Sequence, residues 1–209
     1  MECTSNTLSI IIQVFVAVGT IAIAILAVWG EWFRMKFASP KLMLEPYNLR
    51  GTVTRFTGGP RVIYYHLRVV NTRQWSIAKN CRIILRELYK RLPNNDFEKV
   101  PIFVPPQFVW APAEMTPPVV ELSTQQILDF GRIVENDKSF QPVLYSYPND
   151  FQEFVNANEA VRYALEIKAD GFSAKHLQVF EVAWNGKWSD NLDVMSRNLT
   201  IKEVDKISI

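Results

Sequence analysis

Apolar residues form one long, uninterrupted run near the start of the chain. Leu8 to Trp29 are 22 consecutive residues without a charged side chain, and they are rich in Ile, Val, Ala and Leu. A helix of this length spans about 33 Å, enough to cross a hydrocarbon core of about 30 Å. We therefore predict a transmembrane helix at residues 8–29. A short extracytoplasmic segment (residues 1–7) would precede it, and a juxtamembrane linker (residues 30–40) would follow.

The flanks of this run favour a retained anchor over a cleaved signal peptide, and they predict its orientation. A signal peptide begins with positive residues, whereas residues 1–7 contain no Lys or Arg and the apolar run ends at Trp29, a typical interfacial residue. Basic residues follow the run at Arg34, Lys36, Lys41 and Arg50. Because basic flanks are retained on the cytoplasmic side, we expect a single-pass protein of the cell (inner) membrane. Its N-terminus would lie outside and its C-terminal domain in the cytoplasm.

Small and polar residues recur within the run at a 4-3-4-3 spacing, which places them on one side of the helix. Small residues let membrane helices approach closely, and an amide in hydrocarbon seeks a hydrogen-bond partner. This stripe predicts a helix dimer or higher homo-oligomer; the alternative is a chance alignment of common membrane residues. Its members are Gln13, Ala17, Thr20, Ala24 and Ala27.

Beyond residue 40 the apolar pattern changes to alternation, which is typical of β-strands. The clearest strand is Val62–Asn71, where Ile63, Tyr65, Leu67 and Val69 share one face, and a second is Asn80–Tyr89, where Cys81, Ile83 and Leu85 share one face. We predict one soluble β domain over residues 41–209, folded as an antiparallel β-sandwich, with a small β-barrel as the alternative. The other predicted strands are Leu42–Glu45, Thr52–Phe56, Val100–Val104, Val119–Leu122, Ile127–Val134, Val161–Ala169 and Leu177–Trp184.

Three connections have their own sequence signals. Gly58-Gly59-Pro60 predicts a hairpin between two strands. Asn185-Gly186 predicts a type I′ turn leading into a short strand at Lys187–Trp188. Asp150 with Glu153 has the spacing of a capping box, which predicts a helical turn at Phe151–Asn156.

The sequences Leu67-Arg68-Val69-Val70-Asn71-Thr72 and Ala78-Lys79-Asn80-Cys81-Arg82-Ile83 are similar to a pattern of bacterial immunoglobulin-like domains. There, a strand ends in Val-Asn, a loop follows, and a small Ala precedes the next strand. With the anchor, the chain resembles uncharacterised bacterial membrane-anchored proteins that have an immunoglobulin-like β-sandwich domain. The resemblance implies that fold and brings no catalytic residue. We expect the Asn71 side chain to bond the turning backbone at the strand end.

Motifs for catalysis, metals and cofactors do not occur in the sequence. It has two histidines, His66 and His176, and lacks the nucleotide-loop, zincin and hydrolase-elbow signatures. The predicted bilayer separates Cys3 from Cys81, so we expect no disulfide between them. We therefore expect a protein that is not an enzyme and needs no cofactor or metal; a hydrolase is the residual alternative.

Charge is distributed unevenly and suggests one binding surface. Residues 31–91 contain 13 Lys or Arg against 3 Asp or Glu, whereas residues 92–209 contain 10 against 17. If the two clearest strands are neighbours, their basic residues form a patch for an anionic small molecule or nucleotide; if the strands belong to opposite sheets, the patch divides. The residues of this patch are Arg68, Arg73, Lys79, Arg82 and Arg86.

A second predicted surface is apolar. Phe108 and Trp110 lie in a proline-rich stretch that does not suit a central strand, and they could contact a partner protein or instead fill the core. Taken together, the sequence favours a membrane-tethered, non-enzymatic binding or scaffold protein that acts through its cytoplasmic sandwich domain. The alternative is a sensor that binds an anionic ligand and signals through an oligomeric helix. The expected partners are the lipid bilayer, a protein and a second copy of the chain, with nucleic acid not expected.

Overall fold

An apolar helix, α1 (Glu2–Ala38), is the first element of the computed structural model. Its segment Ser9–Gly30 has a mean hydropathy of 2.7 and is long and apolar enough to span a membrane. The structure describes residues 2–55, 58–137, 139–149, 151–152 and 154–208. It divides into two units, residues 1–39 with α1 and residues 40–209 with the β domain.

In the described part of the β domain, the chain forms thirteen strands and a second helix. In chain order they are β1 (Leu42–Arg55), β2 (Arg61–Asn71), β3 (Ala78–Arg91), β4 (Phe97–Val100), β5 (Val109–Trp110), β6 (Val120–Leu122), β7 (Gln125–Val134), β8 (Ser139–Pro142), β9 (Val155–Asn156), β10 (Glu159–Ala169), β11 (Phe172–Ser173), β12 (His176–Trp184), α2 (Leu192–Asn198) and β13 (Leu199–Ser208).

Two antiparallel sheets form the domain. The first has the order β1-β2-β7-β8-β9, with β5 also beside β7; the second has the order β13-β12-β10-β3-β4, with β6 beside β3 and β11 beside β10. The domain is therefore a two-sheet, mainly antiparallel structure, and the alternative of a closed barrel is wrong.

The core lies between the sheets and contains the apolar faces predicted from alternation. Ile63, Tyr65, Leu67 and Val69 of β2 are fully buried, as are Cys81, Ile83 and Leu85 of β3. Because successive residues of a strand point to opposite faces, one side of each strand supplies this core and the other side faces outward. Phe130 of β7 lies among four aromatic rings, with centroid distances of 5.7 to 5.9 Å to Phe108, Phe140, Tyr163 and Phe180.

Phe108 and Trp110 belong to this core, so of the two alternatives for them core filling is confirmed and the partner surface is wrong. Both are fully buried. The reason is that their segment crosses from one sheet to the other: Phe108 N–H donates to the Ile83 carbonyl at 3.0 Å, and Val109–Trp110 then pairs with β7. The indole N–H of Trp110 donates to the Pro118 carbonyl at 3.2 Å.

The connection after β12 differs from the predicted hairpin. Gly186 has a positive φ of 84°, but Asn185 does not share the left-handed conformation that a type I′ turn requires. Instead of a strand at Lys187–Trp188, the chain forms α2, whose N-cap Asn191 accepts a hydrogen bond from Asp193 N–H at 2.9 Å. The strand that follows α2 and pairs with the outer side of β12 is β13, which the sequence did not predict.

Several strand boundaries also differ from the prediction. Leu42–Glu45 and Thr52–Arg55 belong to the single strand β1, which is irregular between Pro46 and Thr52 and pairs with β2 up to Arg55 opposite Arg61. Phe56, the predicted end of the second strand, lies outside the described residues. The strand predicted at Val100–Val104 lies earlier, at Phe97–Val100. The capping pair Asp150 and Glu153 lies outside the described residues, and the end of the predicted helical turn is the short strand β9.

Candidate functional site

A one-residue β-bulge shapes the outer face of the first sheet. In the register of β2 and β7, Tyr65 lies opposite Gly131 and the next residue, His66, lies opposite Asp129, so Phe130 is the extra residue. Phe130 is buried in the core. Because the bulge shifts the alternation by one position, Asp129 and Arg132 on either side of it both contact outward-facing side chains of β2.

A polar cluster on this outer face consists of Tyr64, His66, Asp129 and Arg132. His66 Nε2 lies 3.1 Å from Asp129 Oδ1, and Arg132 Nη1 donates to the Tyr64 hydroxyl at 3.3 Å. The rings of Tyr64 and His66 stack with a centroid distance of 6.4 Å. A carboxylate only accepts hydrogen bonds, so a hydrogen bond between these two atoms takes its proton from Nε2. Asp129 is 6% exposed and therefore depends on His66 to offset its burial.

The polar cluster borders a cleft of about 680 Å³. Tyr47, Thr52 and Thr54 of β1 line one side, and the loop Ala111–Met115 lines another. Mostly apolar walls with a few convergent polar groups are typical of ligand sites. The cleft is therefore the candidate site, and His66 with Asp129 is its polar end.

The loop at the rim is held at its base and exposed at its tip. Ala111 N–H donates to the Ile127 carbonyl at 3.0 Å, and the Gln126 side chain donates to the Ala111 carbonyl at 3.0 Å. Met115 N–H donates to the Pro112 carbonyl at 3.1 Å. The Met115 side chain is 84% exposed beside the cleft. A flexible thioether at this position can adapt to the shape of a bound group.

The predicted basic patch is divided between the two sheets, since β2 and β3 are not neighbours. Arg68 pairs with Glu45 at 3.0 Å on the first sheet, whereas Arg86 pairs with Glu166 on the second. Arg73 lies in the loop between them, with its guanidinium 5.2 Å from the centre of the Trp75 ring. The five residues therefore do not form one surface.

Arg82 borders a second cleft of about 540 Å³ on the second sheet. Lys168 lines the same cleft, together with the carboxylates of Glu166 and Asp170. Asn80 also lines it and donates to Asp170 at 2.7 Å. This cleft has charges of both signs, in contrast to the mostly apolar cleft beside His66.

The remaining predicted residues are not among the described residues that line the two clefts. Thr20 of the helix stripe donates its hydroxyl to the Val16 carbonyl at 2.8 Å, and the stripe lies on an exposed helix surface. Burial raises the pKa of Cys81 to about 12. His176 is exposed at the start of β12. Within the described ranges, no group of three or more His, Cys, Asp or Glu side chains could hold a metal ion.

Sequence reasoning missed the pairing of His66 with Asp129, although two signals for it exist. Two charged residues, Asp129 and Arg132, stand inside the otherwise apolar stretch Ile127–Val134, and Gly131 lies between them. An isolated glycine within a strand pattern indicates a bulge or a close backbone approach. At Gly131 there is a bulge beside it at Phe130, and there is also a close approach, because a side chain at Gly131 would meet the Phe140 ring.

In comparisons with protein-family models, with curated proteins and with solved structures, no match to this chain was found.

Proposed function

We propose that this protein is a membrane-tethered binding protein, in which α1 spans the cell membrane and the β domain binds a partner protein through the cleft beside His66. The cleft is the observation that carries the proposal. Its volume of about 680 Å³ and apolar walls suit an inserted apolar side chain, and the His66–Asp129 pair offers one polar contact at its end.

The proposed fold of the β domain is an immunoglobulin-like sandwich. In immunoglobulin domains, the first, second and fifth strands belong to one sheet and the third, sixth and seventh to the other. The order β1-β2-β7 in one sheet and β3-β10-β12 in the other supports this correspondence. The extra strand β13 then extends the second sheet beyond its usual edge.

The proposed topology places the N-terminus outside the cell and the β domain in the cytoplasm, supported by the basic residues that follow the apolar run.

We propose that the stripe from Gln13 to Ala27 associates two or more copies. Crosslinking through Cys3 in membranes should give a dimer or larger product in the wild type. The change Gln13→Leu should abolish this product, and an unchanged product would refute the role of Gln13.

A photo-crosslinking experiment tests the cleft in the full-length protein in its native membrane. A photoreactive residue at Met115 should capture one discrete protein, because Met115 is at the rim of the cleft. Thr54→Trp, which fills the cleft from β1, should remove that product. A photoreactive residue at Phe103, which is exposed elsewhere on the domain, is the matched control. The same product from Phe103, or its persistence in Thr54→Trp, would refute the proposal.

The alternative function is a sensor for an anionic ligand. Arg82 and Lys168 beside the second cleft are the observation that favours it. Filter binding with labelled nucleotides would then show retention by the wild type and loss on the double change Arg82→Ala and Arg86→Ala. Equal retention by wild type and double variant excludes this function.

A further inference from the structure

One end of the β domain carries an exposed loop next to the point where the chain enters the domain. Residues 72–77 connect β2 to β3. The N–H and the hydroxyl of Thr72 both donate to the Lys41 carbonyl, at 2.9 and 3.2 Å. Since α1 ends at Ala38 and β1 begins at Leu42, this loop lies beside the connection to the apolar helix. We refer to residues 72–77 as the entry loop.

The entry loop exposes large apolar side chains next to a cation. Trp75 is 70% exposed and Ile77 is 51% exposed. The Arg73 guanidinium stacks on the Trp75 ring. Tryptophan is enriched at membrane–water interfaces, because its ring is apolar and its N–H can bond to the polar headgroup region. The loop thus combines an interfacial aromatic residue with a positive charge.

More basic residues surround the entry loop. Lys41, Lys79 and Lys175 are exposed at the same end of the domain. Contacts place them there: the Lys79 carbonyl accepts from Asp170 N–H at 2.9 Å, and Lys175 lines a small groove with Leu42. Asp170, which accepts a hydrogen bond from Asn80, and Glu121 of β6 are the neighbouring acids. Together with Arg73, these lysines give four bases beside the two acids named here, among the side chains that the structure describes.

We propose that the entry loop docks on the anionic lipid headgroups of the membrane that α1 spans, with Trp75 in the interface. This inference rests on the proposed membrane anchoring. The candidate span ends at Gly30 and α1 continues for eight residues to Ala38, about 12 Å. Three residues, at most about 3.5 Å each, separate Ala38 from β1, so the connection keeps Lys41 within about 23 Å of the hydrocarbon edge.

Fluorescence of the full-length protein in lipid nanodiscs tests the docking. An environment-sensitive dye is attached at Ile77→Cys in a Cys3→Ser background, in which the buried Cys81 thiol does not compete for the reagent. In nanodiscs that contain phosphatidylglycerol we expect blue-shifted emission and quenching by nitroxide-labelled lipid. In discs of phosphatidylcholine alone, the docked fraction should be smaller. The same dye at Lys187→Cys, in the turn after β12, should respond to neither lipid.

Reversing the charge of two lysines measures how strongly the basic residues contribute to the docking. Each basic residue near an anionic surface changes lipid binding roughly fivefold. Reversing both Lys41 and Lys79 to Glu should therefore lower the ratio of docked to undocked protein at least tenfold, judged by quenching of the dye. Both side chains are exposed, so the fold tolerates the change. Lys187→Glu is the matched control and should leave the quenching unchanged.

The outcomes separate docking from anchoring. Co-elution of the protein with nanodiscs reports the anchor, and its failure overturns the proposed membrane attachment. Co-elution with equal dye emission in both lipids, or with quenching that Lys41→Glu and Lys79→Glu leave unchanged, overturns the docking while the anchor stands.

Discussion

Asn71 should be one of the residues on which the stability of the β domain depends most strongly. It ends β2 with only 1% of its surface exposed. Its side-chain oxygen accepts from the backbone N–H groups of Arg73 at 3.0 Å and Lys41 at 3.3 Å. Its side-chain nitrogen donates to the carbonyls of Ser76 at 2.6 Å and Leu122 at 3.2 Å. One amide thus joins the start of β1, the entry loop and β6.

The change Asn71→Ala removes all four hydrogen bonds. At about 1 kcal/mol net for each bond, the upper estimate of the loss is about 4 kcal/mol. The groups of Lys41, Arg73 and Ser76 are only partly buried, so water can replace the side chain there. The Leu122 carbonyl is in the buried part of the contact, and leaving it without a partner costs about 1–3 kcal/mol. We therefore expect the free energy of unfolding to fall by about 3 kcal/mol.

Guanidinium denaturation of the full-length protein in detergent, followed by near-ultraviolet circular dichroism, measures this loss, since the buried Trp110 and Trp184 contribute to that signal. Asn71→Asp keeps both acceptor contacts but directs a carboxylate at two carbonyl oxygens, so it should lose at least as much as Asn71→Ala. Asn94→Ala, in the exposed turn after β3, is the matched control and should stay within about 0.5 kcal/mol of the wild type. A loss below about 1 kcal/mol in Asn71→Ala would refute the reasoning.

Three further predictions concern the core and the surface. Gly131→Ala should destabilise the domain by about 1–3 kcal/mol, because the new methyl group would lie 2.6 and 2.7 Å from two Phe140 ring carbons; an unchanged denaturation midpoint would contradict this. In a Cys3→Ser background at pH 8, a thiol reagent followed by mass spectrometry should modify Cys81 only after denaturation, since burial raises its pKa to about 12. Hydrogen bonds from Arg61 lower the pKa of Glu135 from its usual 4.5 to about 2. The pair therefore stabilises the fold above pH 4.5, and this contribution is lost as the pH falls towards 2. Denaturation midpoints measured against pH should show that Glu135→Gln removes this part of the pH dependence. Parallel plots of midpoint against pH for wild type and variant would disprove the contribution of the pair.

Alternation predicted the central strands correctly because burial on one face leaves a local record in the sequence. Ile63, Tyr65 and Leu67 are apolar at every second position, and a slip by one residue would expose all of them. The role of Asn71 was also predictable, since a strand-end Asn bonds the turning backbone through a short-range geometry. The predicted bonds to the turn, at Arg73 and Ser76, are confirmed; those to Lys41 and Leu122 join segments far apart in sequence.

The incorrect predictions concern residues whose conformation is set by contacts with segments far away in the sequence. Asn185-Gly186 has the sequence of a type I′ turn, but Asn185 is bonded to Asn198 at the end of α2, through its backbone N–H to the carbonyl and through both side chains at 2.9 Å. These bonds fix Asn185 in a different conformation. The partner-surface alternative for Phe108 is wrong for a similar reason. The proline-rich segment crosses between the sheets and does not continue as a central strand, so Phe108 enters the core.

The candidate site depends both on local alternation and on contacts between segments that are distant in sequence. This explains why the sequence revealed only part of the site. His66 is an outward residue of a strand whose alternation was clear, so its face was predictable. Its partner is set by the bulge at Phe130, which turns that ring into the core and brings Asp129 and Arg132 to the same outer face. The bulge in turn requires Gly131, because the Phe140 ring occupies the place of a side chain there. Core packing at Phe140 therefore determines the polar cluster on the opposite face, and a change that relaxes this packing should alter the cleft without touching any residue that lines it.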